Sequence, residues 1–302
     1  MKVLSIGNSF SQDAQRYLHR LAKHEGVELK TVNLYIGGCS LQRHYINMLD
    51  DNAAYDFEFN GEQTGIKVSI RQALASDDWE FITLQQASHF SGKYETYLPY
   101  LEELAKFVRK YCPHSKILMH QTWAYENGSE KLKGLSEFSN SEEMLSAICE
   151  SYSKAARAIE AYGVIPCGVA MMNAEKMGIK MIHRDTFHAS YGAGRYLLAL
   201  CWFKTLTGKD ISDNAFHEFD MPVTEQEREI VIKAVQILTR VEFCRFFSKC
   251  LADSSCHSQT WVRVDVDFAN SPHQGTGLRP PCRCPWRGSP CRRRHPLRGR
   301  HP

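Results

Sequence analysis

The feature that most narrows the fold is a repeated exchange, over the first 240 residues, of short apolar runs with longer segments of helical period. Met1 to Ile6 has the pattern of a buried strand, apolar and closed by Gly7. Gln12 to Lys23 then carries Ala14, Tyr17, Leu18 and Leu21 at helical spacing, with Gly26 as a stop. Further strands are predicted at Val27–Ile36, Glu80–Leu84, Lys116–His120 and Val164–Ala170. Helices are predicted at Leu41–Leu49, Ile70–Ala75, Tyr97–Tyr111 and Ser141–Tyr162, with two closing helices over 189–207 and 224–240. Residues 50–68 are mixed, with a hairpin turn at Asn60-Gly61, and 122–140 form a long polar connection of the kind that rims active sites. Five strands alternating with helices imply an α/β fold with a mostly parallel sheet covered on both faces. Ligands in such sheets bind beyond the carboxyl ends of the strands, so chemistry is sought there.

Charge divides the chain. Residues 241–302 hold 11 Lys and Arg against 4 Asp and Glu, leaving 26 against 30 for residues 1–240. The same stretch holds six of the 11 cysteines and seven of the 11 prolines. We therefore read 1–240 as the folded domain and 241–302 as a basic Cys/Pro/Arg-rich tail of the frameshift or fusion type, expected to be disordered. Its Cys282, Cys284 and Cys291 lack regular Cys/His spacing and its Arg292-Arg293-Arg294 run lacks an aromatic platform, which argues against zinc or nucleic-acid binding. No apolar run reaches the roughly 18–20 residues of a membrane span. The Met1–Gly7 start is too brief for a signal-peptide core, so a cytoplasmic protein is expected and the Asn127-Gly128-Ser129 sequon carries no weight.

Four strand ends or helix entries carry polar groups. Gly7-Asn8-Ser9-Phe10-Ser11 sets a serine at a strand-to-helix turn, where free backbone N–H groups can hold an oxyanion. Either serine could instead merely cap the helix. Gly37-Gly38 lets the backbone approach a substrate and expose an N–H, or is a plain turn. Gln85-Gln86 follows the strand Phe81–Leu84 and offers side-chain amides. In Arg184-Asp185-Thr186-Phe187-His188, a spacing of three at a helix entry lets Asp185 reach the nearer ring nitrogen of His188. That bond would fix the tautomer and leave the other nitrogen as a base, which a serine nucleophile needs. The alternative is that Asp185 caps the helix and His188 is a buried polar residue.

In this order, the blocks resemble the SGNH/GDSL hydrolases, and most closely a domain-of-unknown-function branch whose first block reads G-N-S-F-S. The resemblance runs from Met1 to about Arg240 and implies a three-layer α/β/α sandwich of flavodoxin-like appearance. It implies Ser9 as nucleophile, Asp185 and His188 as its partners, and the Ser9 and Gly38 N–H groups as an oxyanion hole. Asn8 stands where the GDSL pattern has aspartate. The G-x-N-D third block is absent and Leu84-Gln85-Gln86-Ala87-Ser88-His89 takes its place, so Gln85, or else Gln86, is expected to supply the amide that asparagine gives elsewhere.

The expected activity is hydrolysis of a small or carbohydrate-borne acyl ester, acetyl included, with no metal or organic cofactor, no nucleic acid and no membrane. Thioesterase or lysophospholipase activity on the same fold is a second reading, and a catalytically inactive carbohydrate or small-molecule binding protein a third. Asn8, Gln86 and Trp123 are candidate substrate contacts, Trp123 being equally suited to the core. Cys39 is the alternative nucleophile. His114, His120, His183 and His188 form no metal-ligand spacing.

Overall fold

In the computed structural model, residues 1–239 are described, and the predicted tail at 241–302 lies outside them. The elements run β1 (Lys2–Gly7), α1 (Ser9–Gln15), α2 (Leu18–His24), β2 (Lys30–Tyr35), α3 (Leu41–Leu49), β3 (Tyr55–Phe59), β4 (Glu62–Val68) and α4 (Ile70–Leu74). They continue with β5 (Phe81–Leu84), α5 (Tyr100–Tyr111), β6 (Lys116–His120), α6 (Glu130–Lys133), α7 (Ser141–Ala158), β7 (Gly163–Ile165), α8 (Cys167–Lys176), α9 (Ala193–Thr207) and α10 (Glu225–Gln236).

The sheet has seven strands in the order β4-β3-β2-β1-β5-β6-β7. β2, β1, β5, β6 and β7 are parallel, whereas β3 and β4 join antiparallel. The α/β class and the parallel core agree with the sequence pattern, but the expected count of five is corrected to seven. The two extra strands come from the mixed 50–68 stretch. They flank the Asn60-Gly61 turn, whose residues both have positive φ, as a tight hairpin requires. β4 is exposed along most of its length, so its sequence carries no apolar alternation by which a strand could be recognised.

Two boundaries also move. The expected strand Val164–Ala170 stops at Ile165, because Pro166 has no N–H for the ladder and the chain turns into α8. The expected helix Gln12–Lys23 divides into α1 and α2 around Arg16 and Tyr17.

Val3, Leu4, Ser5 and Ile6 of β1 are all buried although successive side chains point to opposite faces, so both faces of the sheet are covered. α9 is buried on nearly every side, from Ala193 to Leu206, and α1, α2, α8 and α10 pack around it. α3, α4 and α5 form a second packed group. Among the described residues, no helix is long and apolar enough to cross a membrane. The central consequence is topological. The chain leaves β1 for β2 on one side and reaches β5 on the other, so the crevice of the strand-order reversal opens at the end of β1, where Ser9 lies.

Candidate active site

Gly7 closes β1 because no larger residue fits there: a Cβ would sit 2.1 Å from the Ser11 hydroxyl. Asn8 then caps α1, its Oδ1 accepting the Phe10 N–H at 3.0 Å, while its own N–H donates to Ser11 Oγ at 3.1 Å. Ser9 is the first residue of the helix, so its N–H points out of the helix end, and it has no acceptor among the described residues. Ser11, not Ser9, completes the capping box, and its hydroxyl also donates to Asn33 Oδ1 at 2.7 Å.

Ser9 Oγ lies 2.9 Å from His188 Nε2, and His188 Nδ1 lies 2.7 Å from Asp185 Oδ2. A carboxylate only accepts, so Nδ1 carries the ring proton, and Nε2 is left to accept from the serine hydroxyl. Asp185 Oδ1 also accepts the backbone N–H of His188 at 2.8 Å, which fixes the carboxylate against the ring it orients. Partial burial works to raise the Asp185 carboxyl, but the hydrogen bonds from the His188 side chain and backbone outweigh it and hold it below its ordinary value. Both residues stand in a loop closed by a bridge between His183 and Ala189, not in the entry turn of α9, which begins only at Ala193. Thr186 at the loop's tip has φ +72°, a left-handed conformation unfavourable for a β-branched residue.

The 122–140 connection holds this loop. The Trp123 indole donates to the Phe187 carbonyl at 2.7 Å, the Glu126 N–H to the Thr186 carbonyl at 2.8 Å, and His183 Nε2 lies 3.2 Å from the Ala124 carbonyl. Trp123 is fully buried and stacks on Phe10 with ring centroids 4.1 Å apart. It sits beneath the site and has no face open to a substrate.

Asn8 and the two glutamines are likewise internal. Asn8 is 1% exposed, and its Nδ2 donates to the Cys39 carbonyl at 3.1 Å, tying the Gly37-Gly38 loop to the Ser9 turn. Gly38 itself is exposed at φ +62°, and its N–H has no acceptor among the described residues. The Gln85 amide nitrogen donates to Asn8 Oδ1 at 2.7 Å, and its Oε1 lies 2.8 Å from His120 Nδ1. Gln85 is 1% exposed, so the expected oxyanion donor is placed behind the nucleophile turn, where it grips Asn8. Gln86 Oε1 accepts the Leu41 and Ala87 N–H groups at 2.9 Å each, and its Nε2 reaches Thr96. The expected substrate contacts Asn8, Gln86 and Trp123 are thus corrected to framework positions. Their polar atoms satisfy backbone groups at strand ends, where unpaired donors and acceptors are costly.

Cys39 is the neighbouring nucleophile to be weighed. Its thiol is 3.5 Å from His44 Nδ1, which resembles a dyad. Burial pushes the Cys39 thiol up to about 12 and holds the fully buried His44 down to about 3, so neither member ionises near neutral pH.

Sequence reasoning missed a carboxylate on the same helix. Asp13, four residues beyond Ser9 and fully buried, accepts from Arg184 at 2.9 and 2.8 Å and from Arg195 at 2.9 Å. An aspartate within the apolar face marked by Phe10, Ala14 and Tyr17, with an arginine beside the Asp-x-x-His block, was the available signal.

The fold thus brings a serine at the end of the first strand against an Asp-x-x-His loop that precedes α9. In backbone, the chain is similar to a proposed SGNH hydrolase from Slackia heliotrinireducens, with a TM-score of 0.51 at 23% identity over 68% of this chain and 98% of that one. The chain belongs to the family described as Domain of unknown function (DUF4886), which matches residues 2–235. It is similar to a DUF4886 family protein from Bacteroides uniformis, with 34% identity, a TM-score of 0.74 and coverage of 79% of this chain and 94% of that one. Comparison with curated proteins finds no match.

Proposed function

We propose that the chain is a serine esterase that hydrolyses a small acyl ester. The observation that carries the reading is the continuous relay from Ser9 Oγ to His188 Nε2 at 2.9 Å and from His188 Nδ1 to Asp185 at 2.7 Å. Ser9 attacks the acyl carbonyl as His188 takes its proton, and Asp185 stabilises the resulting imidazolium. The Ser9 and Gly38 N–H groups receive the oxyanion, a contribution of about 10²–10³ in rate for each donor. Collapse of the tetrahedral intermediate expels the alcohol, which takes the proton from His188. Water, activated by the same histidine, then releases the acid and restores Ser9. The burial of Trp123 removes the sequence-level reason for a stacked sugar ring. The substrate is therefore proposed as a small acyl ester, with acetylated sugars one member of the class to be screened.

The test is fluorophosphonate labelling of the full chain, located by peptide mass, with Ser9→Ala and His188→Ala alongside. Labelling confined to Ser9 and dependent on His188, with turnover of p-nitrophenyl acetate, is the expected result. A folded protein that neither labels nor turns over that ester overturns the esterase reading.

A further inference from the structure

The proposed nucleophile and base come from segments some 180 residues apart, and their 2.9 Å approach requires something to hold α1 against the His188 loop. The structure places a fully buried carboxylate, that of Asp13, at that junction. Asp13 is one turn along α1 from Ser9 and has no solvent exposure. Both its oxygens accept from Arg184, the residue immediately before Asp185, at 2.9 and 2.8 Å. The same arginine also reaches the Ala189 carbonyl, so it spans the whole loop that carries Asp185 and His188.

A second arginine completes the grip. Arg195 on α9 donates to Asp13 at 2.9 Å and, through another guanidinium nitrogen, to Asp220 at 2.9 Å. Asp220 in turn binds Arg16, the residue closing α1, at 2.8 and 2.9 Å. Both guanidinium groups also lie against the Tyr191 ring, 4.7 and 4.5 Å from its centre, which limits their freedom to swing away.

We propose that Asp13 is a positioning residue for catalysis, setting the alignment of Ser9 with His188 by gripping Arg184. This rests on the esterase reading above. A buried carboxylate held by Arg184 Nη1 on the loop and by Arg195 Nε on α9 ties α1 to both segments, and a displacement of about 1 Å at the reacting atoms costs on the order of 10²-fold in rate. The isosteric amide of Asp13→Asn removes the counter-charge of Arg184, leaves Arg195 with Asp220 alone and releases the loop, while nothing that touches substrate is altered.

The experiment compares full-length wild type with Asp13→Asn, Arg184→Lys and Asp77→Asn. Asp77 supplies a destabilised control at the opposite end of the sheet, where it binds Lys2 and Lys30. The readouts are p-nitrophenyl acetate kinetics, the rate of fluorophosphonate labelling at Ser9, and the downfield proton resonance of His188 Nδ1–H, assigned by its absence in His188→Ala. For Asp13→Asn, kcat and the labelling rate fall together by about 10- to 100-fold with KM within about twofold, and the resonance broadens or disappears. Arg184→Lys, which keeps the charge and loses the guanidinium that reaches Asp13 and the Ala189 carbonyl together, falls between wild type and Asp13→Asn and carries the test if Asp13→Asn does not fold. Asp77→Asn lowers the melting temperature and leaves kcat and the resonance in place.

A folded Asp13→Asn protein with wild-type resonance and labelling overturns the proposal. So does an Asp77→Asn protein that loses kcat in equal measure at an equal loss of melting temperature. Should wild type show no esterase chemistry, the functional reading fails while the resonance still decides whether Asp13 positions the loop.

Discussion

Removing the Asn8 side chain tests whether the site is assembled by buried hydrogen bonds. Three bonds are at stake: the cap to the Phe10 N–H, the bond from the Gln85 amide, and the tether to the Cys39 carbonyl. In Asn8→Ala the lost cap costs about 1 kcal/mol. The Gln85 amide, left buried without its acceptor, costs about another 1–3 kcal/mol. A total of about 3 kcal/mol lowers the melting temperature of a domain this size by about 6–12 °C, read by circular dichroism. Asn8→Asp separates the roles, because a carboxylate keeps both acceptor functions but sets an oxygen against the Cys39 carbonyl. The tether fails in both variants, and the loop that carries Gly38 is no longer tied to the Ser9 turn. The rate of fluorophosphonate labelling therefore falls by about 10- to 100-fold in each. A melting temperature within about 2 °C of wild type for Asn8→Ala, or a wild-type labelling rate for Asn8→Asp, refutes the reasoning.

Gly38→Ala retains the backbone N–H, and a Cβ there meets nothing within 4 Å, so its only cost is the left-handed conformation at φ +62°. Stability falls by about 1 kcal/mol in denaturant titration, while labelling changes by less than about tenfold. Stability also depends on pH through His44 and His120, each held neutral by burial with its pKa lowered to about 3. Between about 3 and the ordinary value near 6.5 the unfolded chain binds the additional protons, so stability is lost as pH falls through that window. Urea titrations at pH 6.5 and pH 5 differ by up to about 4 kcal/mol from the two together, and equal midpoints contradict the assignment. Asp185 is shifted in the same direction for a different reason: hydrogen bonds from His188 favour its charged form, so its contribution holds above the ordinary carboxylate range and disappears as pH falls through the lower folded value. Asp185→Asn accordingly reduces the acid sensitivity of the fold below pH 4 in the same titrations, while abolishing most turnover at pH 7.

The parallel strands were legible because their burial leaves unbroken apolar runs such as Phe81-Ile82-Thr83-Leu84. Of the β3–β4 hairpin only the Asn60-Gly61 turn was, since β4 is a solvent-facing edge whose Glu62, Gln63, Thr64 and Lys67 show no alternation. At the site, spacing sufficed for the Asp185–His188 pair because three residues can close that contact locally. The roles of Gln85 and Trp123 could not be settled in that way. Each depends on which way a side chain leaves a strand end, and packing against Asn8 and Phe10 decides it. Asp13 was marked only by its place on an apolar helix face, and its role was hidden for a related reason. Its partners lie 171 and 182 residues away, and a lone aspartate in a short helix reads as a surface residue until they are found.

Behind the Ser9 turn runs a buried line of hydrogen bonds, in which the His120 ring donates to Gln85, Gln85 to Asn8, and Asn8 to the Cys39 carbonyl. That line requires a donor and an acceptor on the residue before Ser9, which asparagine has and an ionised aspartate lacks. Asn8 and Gln85 therefore serve one hydrogen-bonded line. Aspartate at position 8 alone would break it, and so would asparagine at position 85, whose shorter side chain leaves a gap to Asn8 or to His120. Only a change that supplies a new donor toward the Gly38 loop can compensate, so the two positions are expected to couple in a double-mutant cycle by about 1 kcal/mol or more.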